Sequence, residues 1–138
     1  MKCKTILIAA LIAAPLCMNA KDSIPDKIKQ QNINVVKAAA EGLNEKLPQK
    51  IDKYTSLIKL EAKGEKLIYI YEINDPKMSD EEITKKGVKK MKEPVIHGIC
   101  TSSKRFLDSG ITISYVYTGA KSKKELFHFD VKKEDCNR

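Results

Sequence analysis

The sequence predicts an α+β domain in the order α-β-β-α-β-β: a four-stranded, mainly antiparallel sheet with helices packed on one face, and one disulfide. Three observations carry that prediction. Two stretches set apolar residues at helical spacing behind Ser-led starts. Each is followed by two runs of β-forming residues joined by a polar turn. Two cysteines, Cys100 and Cys136, lie in the part of the chain that the N-terminus marks for export.

The N-terminus comes first. Met1-Lys-Cys-Lys4 is positive, Thr5 to Leu16 is apolar, and Cys17-Met-Asn-Ala20 ends on a small residue before Lys21. That is the order of a cleaved secretory signal. The apolar run is shorter than the roughly 20 residues a membrane span needs, and Pro15 interrupts it. Bulky Leu16 ahead of Cys17 departs from the small residue that precedes an acylated cysteine. The domain reading is therefore residues 1–20 as signal peptide and 21–138 as a single α+β domain, periplasmic or secreted. The whole chain has 138 residues with 26 Lys+Arg against 18 Asp+Glu, and losing Lys2 and Lys4 lowers its net charge from +8 to +6. With 42% hydrophobic and 32% charged residues, collagen, a disordered tail and a multi-pass membrane protein are excluded. Nothing after residue 20 is apolar for long enough to span a bilayer.

Ser23-Ile-Pro-Asp26 opens the first helix, with Ser at the N-cap, an early Pro and an acid in the first turn. Ile28, Val36, Ala40, Leu43 and Leu47 form its apolar stripe, with Val35 and Ala39 beside them. Gln30-Gln-Asn32 leaves the first turns loosely held, and Pro48 stops the helix. A hairpin follows within 51–73. Its first strand puts Ile58, Leu60 and Ala62 on one face, Gly64 supplies the turn, and Leu67-Ile-Tyr-Ile-Tyr-Glu-Ile73 is apolar enough for a central strand.

Ser79-Asp-Glu-Glu82 is a capping box that starts the second helix. Its stripe is Ile83, Val88 and Met91, resuming at Val95, Ile99 and Cys100 after Pro94, which kinks the helix or begins a new one. A last helical turn reaches Leu107 and closes at Asp108-Ser-Gly110. In the second hairpin Ile111, Ile113, Tyr115 and Tyr117 alternate with Thr112, Ser114, Val116 and Thr118. After the polar loop 119–124, Phe127, Phe129 and Val131 alternate in the final strand.

Two thiols in an oxidising compartment are most simply a disulfide, and closing the Cys100–Cys136 loop is worth about 4 kcal/mol on the chain-entropy model. The same residues allow two sharper readings. His97, Cys100, His128 and Cys136 could supply four zinc ligands, although a seven-residue gap between the last two is not a zinc spacing. Cys100 could act as a nucleophile with His128 as its base, although one Cys and one His make no signature. There is no Gly-rich phosphate loop, no framed carboxylate pair and no Ser/His/Asp signature. No catalytic residue, metal or cofactor is predicted.

Two features point to binding. Tyr69 and Tyr71 on one hairpin, and Tyr115 and Tyr117 on the other, would line one sheet face if their strands are neighbours. Such a face is either a platform for a partner or ordinary packing beneath the helices. The basic excess is almost all lysine, with only Arg105 and Arg138 as arginines, and no nucleic-acid motif accompanies it.

The stretch Leu47-Pro-Gln-Lys-Ile-Asp-Lys-Tyr-Thr-Ser-Leu57, then Gly64, a Tyr-x-Tyr strand, a helix bearing Cys100, a second Tyr-x-Tyr strand and Cys136, resembles small exported bacterial proteins of mostly unassigned function. More loosely, the layout is similar to the α+β pilotins that help outer-membrane secretins assemble. Pilotins of that kind are lipoproteins, and no functional residue carries over to this chain. The expectation is a non-enzymatic periplasmic or secreted binding protein acting by protein–protein contact, as an envelope accessory or assembly factor. Its partner would be another envelope or exported protein, met through the tyrosine face or an open strand edge. The alternative is an inhibitor or immunity-type protein against an exported toxin or hydrolase.

Overall fold

Ser23 caps α1 (Ile24–Asn44), its hydroxyl accepting from the Asp26 N–H at 3.4 Å. The computed structural model describes residues 23–137, so the segment 1–20 expected to be a signal peptide lies outside the described residues. After α1 come β1 (Gln49–Lys50), β2 (Thr55–Lys63), β3 (Lys66–Ile73), α2 (Asp80–Ser102), α3 (Lys104–Asp108), β4 (Thr112–Gly119) and β5 (Glu125–Val131). A 3-10 turn, Lys133–Cys136, closes the chain. The capping box at α2 forms as expected: the Glu82 N–H donates to Ser79 Oγ at 3.3 Å, and Glu82 Oε2 accepts from the Ser79 N–H at 2.9 Å.

The α+β class and the disulfide stand, but the sheet is five-stranded and mixed, in the order β1-β2-β3-β4-β5. Two things hid this. β1 has two residues, too few for any periodicity to register. The central pair β3–β4 is parallel, because α2 and α3 carry the chain back across the sheet between them, the kind of crossover a parallel pair requires. The other three pairings are antiparallel.

Three local expectations also change. In β2 a bulge between Leu57 and Lys59 inserts Ile58, so Leu57 and Leu60 turn inward, Ile58 is half-buried and Ala62 is exposed. In α2 the sheet-facing residues are Ile83, Gly87 and Ile99, while Val88 is 43% exposed. Pro94 neither ends nor restarts α2. Both Pro94 and Lys90, the carbonyl partner that it cannot reach, are exposed, so water can satisfy that carbonyl. In α1 the inward line is Asn32, Val36 and Ala40, whereas Ile28 and Leu43 are exposed. Asn32 does not loosen the helix: its Nδ2 donates to Glu65 Oε2 and to the Ser109 carbonyl, both at 2.8 Å.

All helix packing falls on one sheet face, with α1 leaning on β2 and β3 and α2 on β5. The core between them includes Val36, Leu60, Leu67, Ile99, Leu107, Ile111, Ile113 and Val131, each almost wholly buried. Cys100 at the end of α2 is bonded to Cys136, with their Cα atoms 5.5 Å apart.

Candidate protein-docking groove

The parallel register sets Tyr69 beside Tyr115 and Tyr71 beside Tyr117. Side chains alternate along a strand, so all four rings emerge on the helix-covered face. Ring centroids of Tyr69–Tyr115, Tyr115–Tyr71 and Tyr71–Tyr117 are each 5.0 Å apart, and the ladder runs on to Phe127 at 4.8 Å and then Phe129 at 5.6 Å. These are favourable aromatic distances. Tyr71 and Tyr117 are 8% and 3% exposed, whereas Tyr69 and Tyr115 are half-buried.

The half-burial follows from where the helices lie. α1 leans on β2–β3 and α2 on β5, and the openings near the sheet centre run along α2. Two adjoining hollows, about 290 and 280 Å³, share Lys90 and Met91 of α2. Tyr54, Ile73, Met78 and Ile83 line the first, and Pro94, Val95, Ile99 and Tyr115 the second. Lys86 and Lys90 stand on the α2 bank, with Asp52 and Asp75 across from them.

Burial, then the neighbouring phenols, pushes the Tyr71 hydroxyl well above its ordinary value near 10; Tyr117 is raised by burial, Tyr115 and the Asp52 carboxylate. Tyr69 shifts the same way for the same first cause. The buried part of the ladder is therefore uncharged, and the charged residues among those lining the hollows are Lys86, Lys90, Asp52 and Asp75. That arrangement can hold an amphipathic segment of protein.

The structure brings the four predicted tyrosines together. It does not gather His97, Cys100, His128 and Cys136 as a ligand set, because both thiols are consumed in the disulfide. That bond also removes Cys100 as a nucleophile. His128 instead holds Glu125 Oε1 through Nδ1 at 2.8 Å on the exposed side of β5. Among the described residues, no group of three or more His, Cys, Asp or Glu side chains could hold a metal ion. Sequence reasoning placed Met91 and Val95 on the α2 stripe but missed Tyr54 and Met78. These two come from loops without periodicity.

Fold and groove together define a small α+β protein with an open groove along α2. The chain belongs to the family described as a domain of unknown function (DUF8479), whose model matches residues 30–127. No curated protein matches it. Three solved structures share the fold at low identity. A candidate secreted protein from Pseudomonas aeruginosa aligns with a TM-score of 0.70 and 12% identity over 80% of this chain and 96% of its own. EpsS, the pilotin of the Vibrio vulnificus type 2 secretion system, aligns at 0.66 and 11%, covering 81% and 97%. AspS, the type II secretion system pilotin of Vibrio cholerae, aligns at 0.61 and 18%, covering 83% and 100%. The likeness to pilotins is thus one of fold. Among the described residues, no helix is long and apolar enough to cross a membrane.

Proposed function

We propose that this is a non-enzymatic binding protein of the periplasm or cell exterior, an envelope accessory or assembly factor that works by protein–protein contact. The observation that carries the proposal is the groove along α2, where Tyr54, Met78, Met91, Val95 and Tyr115 line two adjoining hollows. Tyrosine and methionine give a binding surface large contact area at low ordering cost and tolerate varied partners. The fold likeness to EpsS and AspS supports an assembly role, with another envelope or exported protein as the partner. Export rests on residues 1–20, and mass spectrometry of the mature N-terminus should find the chain starting near Lys21.

A photo-crosslinking residue placed at Met91 or Tyr115 should capture a defined partner in the producing cell's envelope. The same residue at Val116, on the opposite sheet face, should not. Met91→Glu should weaken the complex at least tenfold, as loss of a desolvated anchor does. Equal capture from both faces would overturn the assignment of the groove.

A further inference from the structure

We propose that the outer edge of β5 is a second docking site, and that it takes an extended, acid-flanked segment of another protein rather than a second copy of this chain. The sheet order leaves two edges, and they are finished differently. On the β2 side, β1 pairs with Ser56 and Leu57, and the Ile51 and Asp52 N–H groups both donate to the Thr55 carbonyl. Beyond the bulge, the Asn44 amide imitates a strand: its Nδ2 donates to the Leu60 carbonyl at 2.9 Å, and its Oδ1 accepts from the Leu60 N–H at 2.8 Å. Groups that would recruit another strand are already occupied there.

The β5 side carries none of these devices. Among the described residues, no backbone group of Glu125–Val131 bonds to anything but β4, and the register from Phe127 to Val131 is unbroken. A row of outward N–H and C=O groups is what strand addition uses. The occupant follows from the charges at the two ends. Lys124 precedes the strand and Lys132 follows it, both exposed and neither in an ion pair among the described residues.

An antiparallel second copy centred on His128 would set Lys124 against Lys132 of that copy at both ends. Like charges directly opposite destabilise strand pairs, so self-pairing works against itself. A segment with carboxylates at both ends, on the order of eight residues apart to match the strand, meets the lysines with opposite charge.

Two synthetic peptides test this by amide hydrogen exchange and NMR titration of the exported protein: Glu-Thr-Val-Thr-Val-Thr-Val-Thr-Glu and its Lys-ended analogue. The acid-ended peptide should slow exchange and shift resonances along β5, binding about tenfold tighter than the analogue. The Lys124→Glu/Lys132→Glu variant, altered only at exposed positions, should reverse that preference. Three results would overturn the proposal: no change along β5 with either peptide at millimolar concentration, shifts confined to Met91 and Tyr115, or a concentration-dependent dimer that protects β5 without peptide. None of these bears on crosslinking through the groove.

Discussion

At Gly87, α2 approaches the sheet so closely that a Cβ would sit 2.5 Å from Phe127 Cζ and 2.6 Å from its Cε1. Glycine in a helix interior costs roughly 1 kcal/mol relative to alanine, and here that cost permits the contact. Phe127 is 7% exposed and stacked on Tyr117, so the ring has nowhere to retreat. Gly87→Ala should lower stability by about 1–3 kcal/mol, as overpacking does. Gly98 sits on the same helix with nothing within 4 Å of its Cβ position, and Gly98→Ala should raise stability by up to about 1 kcal/mol. Urea midpoints moving in opposite directions would verify both. The sequence shows a glycine in each place and cannot separate them, because the difference lies in a ring 40 residues away. Asn32 teaches the same thing. As a polar residue it reads as a loose turn, yet it continues the inward line of Val36 and Ala40 and ties α1 to two distant loops.

At the scale of the element, the tyrosine ladder couples stability to alkaline pH. Tyr69, Tyr71 and Tyr117 have folded-state values above the ordinary 10. Their neutral forms are favoured by folding, so their contribution is intact below pH 10 and is lost as pH rises toward the folded values. Phenolate absorbance should show these three hydroxyls failing to ionise near pH 10, then appearing together as the protein unfolds in stronger base. Ionisation of all the tyrosines near pH 10 with the fold intact would refute the buried floor. The two Tyr-x-Tyr strands were legible because alternation is a local signal. That they lie side by side was not, since parallel pairing depends on a crossover of two helices and leaves no periodic trace. The groove therefore came only half out of the sequence, its floor foreseeable and its opening not. The opening is made where Asp52, Tyr54, Asp75 and Met78, all from loops, face α2.

For the whole molecule, the Cys100–Cys136 bond joins the end of α2 to the last turn, closing a loop with a sequence separation of 36. On the chain-entropy model a loop of that length contributes about 4 kcal/mol. Urea titration with and without reductant should differ by roughly that amount. An unchanged midpoint would mean that the unfolded chain is already constrained there. The pairing of two cysteines was the easiest long-range feature to foresee, because the expected loss of residues 1–20 leaves only two candidates. The parallel seam between β3 and β4 has a further consequence, in time rather than space. Each flanking hairpin closes through a short turn, but the seam must wait for the chain from Asn74 to Ile111 to loop back, and long-range pairing is slow. Substitutions at Ile70 or Val116 should therefore slow folding at least as much as they speed unfolding, as stopped-flow folding and unfolding rates would show. The two Tyr-x-Tyr strands are then joined only as the chain crosses its folding barrier.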